Sequence, residues 1–186
     1  MGQQFRALSP KHIAFIELQK IFFVGTAAES GTVNISPKGG DTLRVLSPEK
    51  IIWLNLTGSG NESAAHVLQN PRMTLMFCAF EGSPQILRTY GRATVVHQTD
   101  SNWPELADHF PRHTGARQLF VLDIDLVQTS CGMAVPLFGY QKDRDDLDRW
   151  AERKGAAGIA DYWVKKNQSG IDGFETEIVQ RNGVKA

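Results

Sequence analysis

A chain of 186 residues, 41% apolar and 22% charged, is long enough for one domain with a sizeable core, or one domain plus an appendage. Its 20 basic and 20 acidic residues cancel, and no block of like charge is present to recruit nucleic acid or an anionic membrane. No apolar run approaches the ~20 residues of a membrane span and the N-terminus lacks a signal-peptide core, so a soluble cytoplasmic chain is expected.

In chain order, Ser9 reads as a helix N-cap with Pro10 at the first helical position, and Ile13, Phe15 and Ile16 give that helix a buried face up to about Gln19. Residues 21–28 are apolar without alternation and read as a strand buried on both faces. Residues 32–36 alternate and form its hairpin partner, broken by Pro37. A short strand follows at 43–46 and a buried strand at 51–57. A helix of about two turns runs from Glu62 to Gln69, closed by Asn70-Pro71. Strands come next at 73–80 and 86–97, with Gly91 marking a bulge or a close backbone approach. A small helix near 104–110 leads to a last strand at 120–129. Short connections between successive strands predict a mainly β, antiparallel, barrel-like domain over residues 1–141.

Residues 142–186 change character. Two charged helical stretches, 145–154 and 157–166, flank Gly155 and Gly158, with Leu147, Trp150, Ile159, Tyr162 and Trp163 as their apolar face. They read as a helical extension packed on the barrel or on a second subunit. Cys78 and Cys131 lack metal spacing and read as buried free thiols. His109 and His113 have the spacing of helical metal ligands, but Pro111 lies between them and no third ligand is evident, so no metal is expected.

The richest stretch chemically runs from Asp41 to Ser63. A short strand carries Arg44, a buried strand follows, and the turn Gly58-Ser59-Gly60-Asn61 opens a helix. Free backbone N–H groups at a helix start make a ready anion site, and an arginine delivered by a neighbouring strand completes a phosphate cradle. A phosphorylated cofactor is the expectation. Arg88 and Tyr90 share one strand face and add a second candidate cation.

Phe23-Val24-Gly25-Thr26-Ala27, residues 34–38, Arg44-Val45-Leu46, Asn70-Pro71 ahead of a strand containing Phe77, and residues 88–91 recur here in a telling order. Over residues 10–130 that order resembles the FMN-binding split-barrel family of pyridoxamine 5′-phosphate oxidase-like proteins. The resemblance implies a six-stranded antiparallel split barrel, a homodimer with two flavin sites at its interface, and an FMN-dependent oxidoreductase taking a small-molecule substrate or a nicotinamide donor. It places Arg44 on the FMN phosphate and ribityl chain, the backbone of Val45 and Leu46 at the isoalloxazine ring, and Leu56 and Thr57 along the flavin.

The chain departs from the family at the helix start, where Ser-Arg-Lys is replaced by Asn61, Glu62 and Ser63. Two charge-assisted bonds worth about 1.5–3 kcal/mol each are thereby absent. Neutral donors from Ser59, Gly60, Asn61 and Ser63 would take over, with Lys38 or Arg88 restoring charge. The family's C-terminal Trp and Arg have no clear match, which argues against a true pyridoxamine phosphate oxidase. Rival readings are a non-catalytic flavin or haem protein with His66 as axial ligand, a deazaflavin-binding reductase, and an apo dimer serving as an interaction module.

Overall fold

The structure is a computed structural model that describes residues 2–184. Among them, eight strands form one antiparallel sheet: β1 (Gln3–Phe5), β2 (Phe22–Ala27), β3 (Val33–Lys38), β4 (Leu43–Ser47), β5 (Lys50–Leu56), β6 (Arg72–Cys78), β7 (Ile86–Val96) and β8 (Ala116–Ser130). The helices are α1 (Pro10–Leu18), α2 (Glu62–Gln69), α3 (Trp103–Ala107), α4 (Asp146–Lys166) and α5 (Ile178–Arg181).

The hydrogen-bonded order is β3-β2-β6-β7-β8-β5-β4, with β1 beside β8. This path does not close, so β3 and β4 are its free ends. The six-stranded expectation is corrected to eight strands in an open sheet. The extra strand β1 exists because the long strand β8 offers it an edge, pairing Gln3 with Thr129 and Phe5 with Val127.

Apolar side chains curl the sheet. Phe22 on β2 meets Trp53 on β5 edge-on at 6.3 Å, although three strands separate them in the ladder. Trp53 in turn stacks on Phe120 with centroids 4.4 Å apart, and Phe22 on Phe77 at 6.0 Å. These rings, with Val24, Ile51, Leu75, Leu87 and Leu122, form the main core. A second core lies between the sheet and α3, built from Ile52, Leu54, Val96, Phe110 and Leu119. Burial on both faces explains why β5 carries an uninterrupted apolar run. By contrast, β2 alternates buried and half-buried residues, correcting the two-sided burial expected of it.

Local signals are met in detail. The Ser9 hydroxyl accepts the His12 N–H at 3.3 Å, and His12 Nδ1 accepts the Ser9 N–H at 3.1 Å, capping α1 from both sides. Pro37 does not break β3, which continues to Lys38; an edge strand tolerates a residue without an N–H. Cys78 is buried as expected, but Cys131 is exposed. Gly155, with φ 63° and ψ 173°, divides α4 into two helical halves. Ala151, Ile159 and Trp163 from α4 pack with Ile178 and Val179 of α5 as a third core. Arg181 and Asp100 form an ion pair at 2.6 Å that ties this C-terminal layer to the turn after β7. No described helix is long and apolar enough to cross a membrane.

The ladder between β7 and β8 shifts register at Tyr90/Gly91, where a Cβ on Gly91 would lie 1.9 Å from the Asp123 carbonyl oxygen. Backbone cannot yield there without breaking the central pair of strands. Gly91→Ala is therefore expected to destabilise the fold by at least about 2 kcal/mol, read as a lowered urea midpoint at unchanged m-value. A shift below about 0.5 kcal/mol would show that the bulge is soft.

Candidate functional site

β5 ends at Leu56, and the chain is then pinned to the start of β8: both the N–H and the hydroxyl of Thr57 donate to the Gly115 carbonyl, at 2.7 and 2.9 Å. Two residues further along β8 stands Arg117. Its Nη1 donates to the Gly60 carbonyl at 3.0 Å, and the residue is 2% exposed. Its Nε has no hydrogen-bond partner among the described residues, and no described carboxylate lies at ion-pair distance from it. Burial pushes the Arg117 guanidinium down to about 10, against the pull of Glu62 and Tyr162. A buried cation in this state has no carboxylate in direct contact with it among the described residues.

Lys38, at the end of β3, places its Nζ 5.7 Å from the centre of the Trp53 ring. Burial first, and then repulsion from Arg117, push the ammonium down to about 8, with Glu62 pulling the other way. Two cations and one carboxylate thus converge on the turn before α2. Glu62 folds back over that turn, and only a glycine leaves it room: a Cβ on Gly60 would sit 2.3 Å from Glu62 Oε2. On the neighbouring strands, Trp53 Nε1 and Gln118 Nε2 are also buried donors without acceptors. Gln118 uses its oxygen to accept the Asn55 amide at 3.2 Å. Among the described residues Trp53 Nε1, Arg117 Nε and Gln118 Nε2 are thus buried donors without acceptors, and Asn61 Oδ1 and Asn167 Oδ1 buried acceptors without donors.

Much of the remaining polar equipment of the turn is taken by the C-terminal layer. Trp163 Nε1 donates to the Thr57 hydroxyl at 2.9 Å, and Asn167 Nδ2 to the carbonyls of Gly58 at 3.1 Å and Ser59 at 3.5 Å. Asn61 Nδ2 donates to the Asn167 carbonyl at 3.4 Å, which also accepts the Thr176 hydroxyl. Ser63 accepts an amide hydrogen of Asn34 at 3.1 Å. His66 is 1% exposed, with Nδ1 3.2 Å from the Thr26 hydroxyl and Nε2 3.7 Å from Asp172. Bonds from the Thr32 N–H and hydroxyl hold the Asp172 carboxyl below its usual range.

The other sequence candidates lie apart. Arg44 is gripped by Asp41 at 2.7 and 2.9 Å, donates from Nε to the His109 carbonyl at 3.1 Å, and lies 5.0 Å from the Phe110 ring. Leu46 and Leu56 pack in that same second core, whereas Val45 packs against the main core. Arg88 bonds Ser130 at 3.2 Å and lines a groove of about 610 Å³ on the outer face with Phe23, Met76 and Tyr90. Ser59, Gly60, Asn61 and Ser63 thus share one turn, Lys38 lies against Trp53, and Arg44 and Arg88 lie elsewhere. Arg117 escapes sequence reading. Its only signal is a charge two residues ahead of the apolar run Leu119-Phe120-Val121. Among the described residues no cluster of metal-ligating side chains exists, and His113 instead pairs with Asp148 at 2.5 Å.

Lys38 also gives the site a pH signature. The native ammonium releases its proton near pH 8 and the unfolded one near its ordinary 10.5, so between these values the unfolded chain holds more protons. Stability of the ligand-free protein should therefore rise with pH across that window. Lys38→Met should remove this increment, as measured by urea unfolding of both proteins at each pH; identical profiles would place Lys38 in water.

The family described as pyridoxamine 5′-phosphate oxidase matches residues 8–131. A pyridoxamine 5′-phosphate oxidase family protein, ustO of Aspergillus flavus, is 35% identical, with 84% of this chain and 70% of that protein covered. Among solved structures, HupZ of Group A Streptococcus is 16% identical with a TM-score of 0.52, covering 64% of this chain and 91% of that one. A putative pyridoxamine 5′-phosphate oxidase from Lactobacillus delbrueckii is also 16% identical, TM-score 0.52, covering 66% and 94%. At such identities the two structures share the fold alone. With two thirds of its length matched by the family and a relative 35% identical, this chain belongs to the pyridoxamine 5′-phosphate oxidase family.

Proposed function

We propose that the chain is an FMN-binding flavoprotein that works as an oxidoreductase on a small molecule, with a nicotinamide as the candidate electron donor. The observation that carries this reading is the buried Arg117 guanidinium, whose Nη1 meets only the Gly60 carbonyl and whose Nε has no partner among the described residues, with the half-buried Lys38 adding a second cation. FMN would supply the redox chemistry. The chain would hold the phosphate between Lys38 and Arg117, with Ser59, Gly60, Asn61 and Ser63 framing it. The backbone of Val45 and Leu46, together with Leu56 and Thr57, would orient the rest of the cofactor.

Within this reading Arg117 takes the part that family resemblance gives to Arg44. Arg44 would first have to leave both carboxylate oxygens of Asp41, whereas Arg117 has no carboxylate to leave among the described residues. The haem reading is less well supported, because both ring nitrogens of His66 already face partners in a buried site.

A homodimer completes the proposal. Val33 and Ile35 of β3 are 73% and 69% exposed and border the apolar groove that Arg88 lines. Such a face is stabilised by burial against a second copy. Ile35→Lys is expected to convert a dimer to a monomer in light scattering; a wild-type monomer would remove the dimer from the proposal.

Flavin bands in the freshly purified protein, or their appearance on adding FMN, test the cofactor directly. Arg117→Met should weaken FMN binding by at least tenfold, the ~1.5 kcal/mol of one charge-assisted bond, and leave riboflavin binding unchanged. Arg44→Ala should have the smaller effect. A colourless protein that ignores added FMN would overturn the reading, and absence of bleaching by NADH or NADPH would remove the nicotinamide donor.

A further inference from the structure

After β8 the chain crosses the surface as a strap, residues 131–141, that contributes to none of the three cores. Two bonds fix it to the turn after β6: the Phe138 N–H donates to the Phe80 carbonyl at 2.9 Å, and the Tyr140 N–H to Glu81 Oε1 at 3.0 Å. Between this strap, that turn and the end of α1 lies an open cavity of about 760 Å³, walled by Phe15, Leu18, Phe80, Phe138 and Tyr140. The Phe80 and Phe138 rings are tilted at 5.7 Å from each other. Leu18 and Phe138 remain 72% and 61% exposed, so covering them with an apolar ligand is favourable. Two charged residues line the same cavity, Lys20 and Glu81. The Lys20 Nζ lies 5.6 Å from the centre of the Tyr140 ring. Neither residue has an opposite charge at ion-pair distance among the described residues, and they do not pair with each other.

We propose that this cavity binds a zwitterionic aromatic molecule of the amino-acid type, its ring against the apolar walls, its carboxylate toward Lys20 and its ammonium toward Glu81. Concave spaces of this size with aromatic walls and few polar groups hold single small molecules. The charges select among them. An aromatic acid would leave the Glu81 carboxylate without a partner, and an aromatic amine would leave Lys20 without one. A ligand carrying both charges uses both groups. Lys20 and Glu81 are exposed, so each pair contributes little, and the apolar walls supply most of the affinity. The two strap bonds hold Phe138 and Tyr140 in place before a ligand arrives, which lowers the entropy lost on binding. The cavity shares no lining residue with the turn before α2, and the site stands independently of the flavin reading.

The experiment is calorimetric titration of the full chain with L-tryptophan, tryptamine and indole-3-propionate, which share one ring system and differ in charge. Tryptophan should bind about threefold tighter than either analogue, the effect of one exposed ion pair. Lys20→Gln should abolish its advantage over tryptamine and leave its advantage over indole-3-propionate. Glu81→Gln should do the reverse, since glutamine keeps an acceptor for the Tyr140 N–H. Phe138→Ser should weaken all three ligands by about fivefold through lost apolar contact. Leu18→Ser repeats that test from the opposite wall, and an unchanged urea midpoint in either variant shows that the fold is kept. Absence of saturable binding to the wild type overturns the inference, as does tryptophan binding no tighter than its analogues, or equal affinities in wild type and all four variants. A wild-type dimer that Phe138→Ser converts to a monomer would give this face to a second copy and overturn it too.

Discussion

A guanidinium buried to 2% exposure, bonded to a single backbone carbonyl, is the constraint around which the rest of this site is arranged. Arg117 cannot be hydrated where it sits, and burying a charge without a partner is unfavourable by several kcal/mol. The surrounding structure offsets part of this through Gly60 and through the field of Glu62, but Lys38 brings a second positive charge to the same place. On the proposed reading, an anion bound beside these two cations would offset that cost. The same trade recurs wherever a binding site is preorganised rather than assembled on ligand arrival.

The C-terminal layer fixes the turn beside Arg117. Trp163 and Asn167 bond the hydroxyl and carbonyls of residues 57–59, while Asn61 donates back to the Asn167 backbone. Asp172 reaches across to Thr32 and His66, joining β3, α2 and the C-terminal loop through one carboxylate. The Trp163, Asn167 and Asn61 bonds fix the turn that presents the Gly60 carbonyl to Arg117. The extension therefore occupies mainly the acceptors of the turn, taking only the Asn61 amide as a donor, and fixes the turn in place. The Arg117 Nε beside that turn keeps no partner among the described residues.

Sequence reading recovered what local chemistry dictates. Ser9-Pro10 opens α1, Asn70-Pro71 closes α2, Gly91 marks the bulge and Gly155 divides α4, because each residue has a conformational preference that needs no tertiary context. It failed where tertiary partners decide. β1 is three residues with no period of their own, ordered by the edge that β8 provides. The family order of motifs led to the Gly58–Ser63 turn and to Lys38, but Arg44 carried the stronger local signal than Arg117. A strand arginine beside a Gly-rich turn looks like a phosphate ligand, whereas Asp41 three residues earlier already neutralises it. Arg117 becomes visible only once the Thr57–Gly115 bonds bring the start of β8 against the turn.

The open ladder is itself part of this logic. β3 and β4 end the sheet without pairing to each other, yet Lys38 on β3 reaches Trp53 on β5, the strand next to β4. The lysine thus bridges the two sides of the gap with a side chain instead of a backbone bond. Closing the barrel would satisfy the edge strands but would fill that gap with backbone pairing. Aromatic contacts between Phe22, Trp53, Phe77 and Phe120 keep the two halves together from inside, so the core can hold the curl that the ladder leaves unclosed.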